Sequence, residues 1–150
     1  MTSSTLNLRL EPAPAIGGPR ILLRLEGAAA FAAGIAAFAH LGGSWRLFAL
    51  LFLVPDLSML GYLASARAGA IAYNAAHSYL FATGLAAFGL GLGAELPLLL
   101  AAIAAAHVGF DRALGYGLKY ASAFTDTHLG RIGRARSPSA AVDQAAATVR

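Results

Sequence analysis

The chain has 150 residues, 58% of them hydrophobic and 12% charged, with a mean hydropathy of +0.65. A soluble domain carries about 25% charged residues, so this composition excludes an ordinary water-facing surface, and the absence of cysteine excludes disulfides and thiolate chemistry. The formal net charge is +4, but the basic residues stand at the ends of hydrophobic runs. There they act as topology signals and headgroup contacts rather than as a nucleic-acid surface.

Residues 1–20 are polar and interrupted by Pro12, Pro14 and Pro19, the pattern of a flexible tail. A first Ala-rich apolar run covers about residues 22–41 and ends in the turn Gly42-Gly43-Ser44. The second run, about 47–66, is interrupted by Pro55-Asp56. The third covers about 70–92, and Gly93-Ala94-Glu95 turns the chain into a fourth over about 96–118. Each run approaches the ~20 residues that cross a hydrocarbon core of ~30 Å. They are continuous rather than alternating, so helices are predicted and not barrel strands. The expected fold is all-α: a four-helix transmembrane bundle with antiparallel neighbours over residues 21–133, followed by a disordered tail over 134–150.

Charge sets the expected orientation. Arg9, Arg20, Arg24, Arg67, Arg112, Lys119, Arg131, Arg134 and Arg136 fall on one side, and only Arg46 on the other. This bias predicts a multi-pass protein of the cell inner membrane with both termini cytoplasmic. The triplet Ala37-Phe38-Ala39 resembles a signal-peptidase site, but the preceding region is long and contains Glu26. Gly115-Tyr116-Gly117 lacks the lead-in of a potassium filter and is flanked by Asp111, Arg112 and Lys119.

Ionisable residues within spans are costly and mark candidate sites. Asp56 falls about ten residues into the second run, near the midplane at ~1.5 Å per residue. His77 lies about 10 Å deep by the same rise, His107 is near the middle of the fourth run, and Asp111 follows one turn later on the same face. Glu26 opens the first run on that side. Imidazole and carboxylate together suit zinc, iron or manganese, which makes His77, His107, Asp111 and His128 candidate ligands of a divalent metal. Asp56 and Glu26 are candidate general bases or orienting groups. The same residues also fit a purely structural hydrogen-bond network, or a haem held between His77 and His107. Asn74 and Tyr73 share a helical face with His77. Tyr116 and Tyr120 read as an interfacial belt, Arg112 and Lys119 as side chains snorkelling to headgroups, and His40 as a residue of the opposite surface.

The strings LRLEG, LFLVPDLSMLGYL, AYNAAHSY, HVGFDRALGYGLKY and DTHLGRIG resemble domain-of-unknown-function family 4260, small bacterial membrane proteins, over residues 21–133. The resemblance implies that Glu26, Asp56, Asn74, His77, His107, Asp111, Arg112, Lys119, Asp126 and His128 belong to the family pattern. It implies no reaction.

Three functions are compatible with these readings. The first is a metal-dependent membrane enzyme acting on a hydrophobic substrate. The second is a non-catalytic module, either a carrier or a complex subunit. Its small residues between Gly84 and Gly93 would allow homo-oligomers in the lipid bilayer. The third is a proton-coupled transporter using Asp56 and His77, for which four helices are few. Reporter fusions after Ser137 and within residues 42–46 are expected to lie on opposite sides of the membrane. The same side for both would mean that one run does not cross.

Overall fold

The computed structural model describes residues 13–133. The expectations for residues 1–12 and 134–150 lie outside the described residues. The chain forms α1 (Gly17–His40), α2 (Trp45–Phe52), a 3-10 helix (Val54–Leu63), α3 (Ala66–Ala76), α4 (Tyr79–Leu92) and α5 (Glu95–Leu114). Among the described residues there are no strands, only one isolated antiparallel bridge between Lys119 and Thr127. The fold is all-helical. Gly17–His40, Trp45–Leu63 and Glu95–Leu114 are each long and apolar enough to cross a membrane, and α3 with α4 forms a further broken stretch bent by 43°.

The ends of these elements follow local chemistry. α1 starts at Gly17, before the expected end of the N-terminal tail at residue 20. Pro19 is tolerated there because first-turn N–H groups have no helical acceptor. Its far end closes through Gly42 at φ +70, whose N–H donates to the Ala39 carbonyl at 3.1 Å. The second apolar run is not one α-helix. Pro55 lacks an N–H and crowds the carbonyl of Leu51, so α2 stops at Phe52 and the chain continues as a ten-residue 3-10 helix, far longer than the usual few residues. Ser65 then caps α3, its side chain accepting from the Ala68 N–H at 3.0 Å. The expected fourth span to residue 118 ends instead at Leu114, because Gly115 takes the left-handed conformation at φ +97. Its N–H returns to the Asp111 and Arg112 carbonyls.

α5 is the most buried of the long helices and α1 packs along it. The contact depends on missing side chains. A Cβ on Gly34 would lie 2.7 Å from the Ala106 backbone nitrogen, and one on Gly27 would lie 2.9 Å from the Gly109 carbonyl oxygen. Gly109 itself abuts the backbone nitrogen of Phe31. Such close backbone approach is how helices gain van der Waals contact in lipid, where no hydrophobic force draws them together. Phe38 is buried against Ala102 and Ile103. From it an aromatic row runs through Phe48 (centroids 5.1 Å apart) to Phe52 (5.4 Å) and on to the ring of His107 (5.2 Å). The outward residues Leu50, Leu53, Leu57, Leu60 and Leu63 are exposed, a surface made for lipid.

Gly109→Ala should lower the melting temperature in detergent markedly, since overpacking against backbone costs ~1–3 kcal/mol or more. Gly84→Ala, with nothing within 4 Å of the added carbon, should leave it unchanged or higher. Equal melting of the two variants would refute the close α1–α5 contact.

Candidate metal centre

The centre begins with a break in a helix. α3 ends at His77 (φ −103, ψ 22), Ser78 is extended, and α4 restarts at Tyr79. No proline or glycine causes the break. It is stabilised by Arg112 of α5, which is only 7% exposed and whose Nη2 donates to the His77 carbonyl at 2.9 Å. A cation at a helix C-terminus is favourable, and a freed carbonyl at membrane depth needs such a donor. The second arm of the guanidinium, Nη1, donates to the Tyr116 carbonyl at 2.6 Å.

The His77 ring is fully buried. Its Nδ1 lies 3.0 Å from the Tyr73 carbonyl, and because a carbonyl only accepts, Nδ1 carries the proton in the neutral ring. The Tyr73 ring stacks on His77 with centroids 3.7 Å apart. Nε2 of His77 therefore presents a lone pair, and it faces a second imidazole nitrogen and a carboxylate oxygen. His107 Nε2 is 3.0 Å away and Asp56 Oδ1 is 3.2 Å away. The triangle closes with 3.6 Å between His107 Nε2 and Asp56 Oδ1. These are edge lengths of a ligand polyhedron: bonds of ~2.0–2.1 Å in tetrahedral geometry set ligand atoms about 3.3 Å apart. Asp56, His77 and His107 thus form a group able to hold a metal ion. Each comes from a different element, and the 3-10 helix that Pro55 initiates carries Asp56 to the other two.

Asp111 lies beside the triangle. Its Oδ2 is 3.7 Å from His77 Nε2 and accepts a hydrogen bond from the Tyr73 hydroxyl at 2.9 Å. Asp56, Asp111, Tyr73 and Lys119 share a cavity of about 380 Å³ whose other walls include Met59, Phe110, Leu114 and Phe124. Asp56 reaches this space with its side chain 33% exposed, so the triangle has one open side.

Glu26 and His128 stand elsewhere. Glu26 is exposed on α1, and both residues line a separate cavity of about 370 Å³ together with Ser78, Tyr79 and Arg112. Nδ1 of His128 accepts the Leu118 N–H at 2.7 Å, and its backbone N–H donates to the Leu118 carbonyl. This fastens the segment after α5. Burial, and secondarily the nearby Arg112 charge, hold the His128 imidazole below its ordinary range. The expectation that Arg112 and Lys119 snorkel is corrected: both are buried, Lys119 at 5% exposure. Asn74 explains the second. Its amide donates to the Lys119 carbonyl (2.9 Å) and accepts the Lys119 N–H (2.7 Å), drawing that residue inward. The ammonium donates to the Phe124 carbonyl at 3.0 Å and sits 3.7 Å from the Phe124 ring centroid. Burial lowers its pKa, with Asp111 and Asp56 opposing.

Residues 20–132 match the family described as domain of unknown function DUF4260. The chain belongs to that family. No curated protein and no solved structure matches this DUF4260 chain, so its chemistry has to be read from the site itself. The sequence places Tyr73 on the His77 face but not its hydroxyl on Asp111, which the fold supplies.

Protonating His128 would set an N–H against the Leu118 N–H. Its folded pKa is depressed, so the stabilisation is complete above the ordinary value of about 6.5 and is lost as pH falls below that through the folded value. Protection factors for amide exchange over residues 116–130, each corrected for the intrinsic rate at its pH, should therefore fall between pH 7.5 and pH 5. His128→Asn should flatten that dependence, and an unchanged profile in the variant would assign the effect to another group.

Proposed function

We propose that this protein is a divalent-metal-dependent enzyme of the inner membrane that hydrolyses a hydrophobic substrate. In this reading the chain spans the bilayer four times as an antiparallel bundle with both ends cytoplasmic. α3 and α4 together make one broken span, and the small-residue faces permit a homo-oligomer. The observation that carries the proposal is the triangle of ligand atoms of Asp56, His77 and His107, with edges of 3.0, 3.2 and 3.6 Å. With the His77 ring proton committed to Tyr73, its Nε2 lone pair and the Asp56 carboxylate converge with His107 Nε2 on one point, a geometry that a cation among them satisfies.

Two imidazoles and one carboxylate with an open side are the donor set of catalytic zinc sites and of non-haem iron sites. A divalent metal there supplies Lewis acidity and lowers the pKa of water. Asp56 is assigned to the metal and not to proton transfer. Asp111 is the general base: held by the Tyr73 hydroxyl, it takes the proton of the attacking water and returns it to the leaving oxygen. Glu26 and His128 take no part, since they line the other cavity.

The second reading is a structural network in which a proton, not a metal, holds the triangle together. It is favoured by His107 Nδ1, which is buried without a partner, whereas a metal-bound histidine almost always donates its second N–H. Elemental analysis separates the two. Wild type purified in detergent should carry about one transition-metal ion per chain, or take one up from zinc, iron(II) or manganese. His107→Ala should lose about nine-tenths of it, while Tyr73→Phe should retain it because the backbone carbonyl that fixes His77 is untouched. A wild type that stays empty would establish the structural network.

A further inference from the structure

Lys119 is a buried cation whose partners are a carbonyl and two aromatic rings. It makes no salt bridge among the described residues, and its ammonium lies 4.8 Å from the Tyr73 centroid and 3.7 Å from that of Phe124. Burying an ammonium without an opposite charge is expensive. Here the ammonium borders a cavity of about 380 Å³ that also touches Asp56 and Asp111.

Charge counting around the centre sharpens the point. The carboxylates of Asp56 and Asp111 are matched by the cations of Arg112 and Lys119. A divalent ion at the triangle, which is the reading made above and on which this step rests, leaves two positive charges over. Poorly screened charges of that kind attract an anion strongly. Apart from the tyrosines Tyr73 and Tyr116, the remaining walls are Met59, Phe110, Leu114, Phe124 and Ile132, which offer an alkyl chain a great deal. Lys119 thus marks a polar end and the side chains of Phe110 and Leu114 an apolar one, within a volume typical of small-molecule sites.

We propose that the cavity beside the metal centre binds an anionic amphiphile, its carboxylate or phosphate head between Lys119 and the metal and its alkyl chain along Phe110 and Leu114. Lys119 is then a specificity-determining residue: it recognises the substrate head without taking part in proton transfer. Its backbone is fixed by Asn74, so its reach into the cavity is set by α3 rather than by the loop it belongs to.

The test uses the full chain in phosphatidylcholine nanodiscs, with metal content measured on the same sample. Melting is recorded with decyl phosphate, decanol, decyltrimethylammonium and inorganic phosphate. Decyl phosphate should raise the wild-type melting temperature by about 3 °C over decanol at tenfold its dissociation constant. The cationic amphiphile should do nothing, and phosphate alone should do little. Lys119→Arg should keep the preference for decyl phosphate, and Lys119→Met should lose it. Leu114→Trp, at an exposed position that tolerates change, should weaken decyl phosphate by filling the apolar end. Equal responses to decyl phosphate and decanol in the wild type would overturn the inference, and so would inorganic phosphate matching decyl phosphate. Metal content answers separately: a loaded sample without anion preference leaves the metal centre standing, and an empty sample that prefers decyl phosphate leaves this site standing on Lys119 alone.

Discussion

A guanidinium buried in lipid surroundings must be fully occupied, and Arg112 is occupied by backbone. Its two arms accept the duty of capping the His77 and Tyr116 carbonyls. The break between α3 and α4 and the turn that follows α5 therefore share a single donor. Irregular backbone at such depth persists only where protein groups replace water. Without the break, His77 would continue an ordinary helical turn. With it, the ring is held by Tyr73 and directed at His107.

The other two sides of the triangle depend on different constraints. His107 faces inward because α5 is pressed from both flanks. Gly27, Gly34 and Gly109 let α1 approach it to backbone contact, and Gly89 does the same for Leu98 between α4 and α5. A helix so enclosed has little surface left for lipid, so its polar residues turn toward one another. Asp56 arrives by a proline-induced change of helix type. Three independent departures from regular α-helix packing meet at one point, and a site assembled in this way is positioned more firmly than any one of its elements.

The sequence made much of this legible. The apolar runs follow from composition and continuity, and the meeting of His77 with His107 follows from depth, since a polar residue at a given depth must seek partners at that depth. Pro55-Asp56 was visible as an interruption. Rotation about each helix axis was not. Periodicity says which residues share a face but not which neighbour the face meets, so Glu26, matched in depth, stands on the exposed side of α1. The end of α5 at Gly115 was hidden because glycine in an apolar run carries no sign of its φ. Arg112 and Lys119 were read as headgroup contacts because long basic side chains near a span end usually are. Their burial depends on acceptors, the His77 and Phe124 carbonyls, which exist only once the chain has folded back on itself.

The 3-10 helix also affects how the second span matches the membrane. A 3-10 helix rises ~2.0 Å per residue against ~1.5 Å for an α-helix. Eight α-helical and ten 3-10 residues therefore reach about 32 Å, where the same number of residues in a single α-helix would reach about 27 Å. The hydrocarbon core is ~30 Å thick. Lengthening the half after Leu53 lets a short segment match such a core without thinning the bilayer, and it displaces the far end of the 3-10 helix, at Leu63, by about 5 Å relative to an α-helix. The proline thus sets the direction of the Asp56 carboxylate and, through the helix type it imposes, the reach of the segment that carries it.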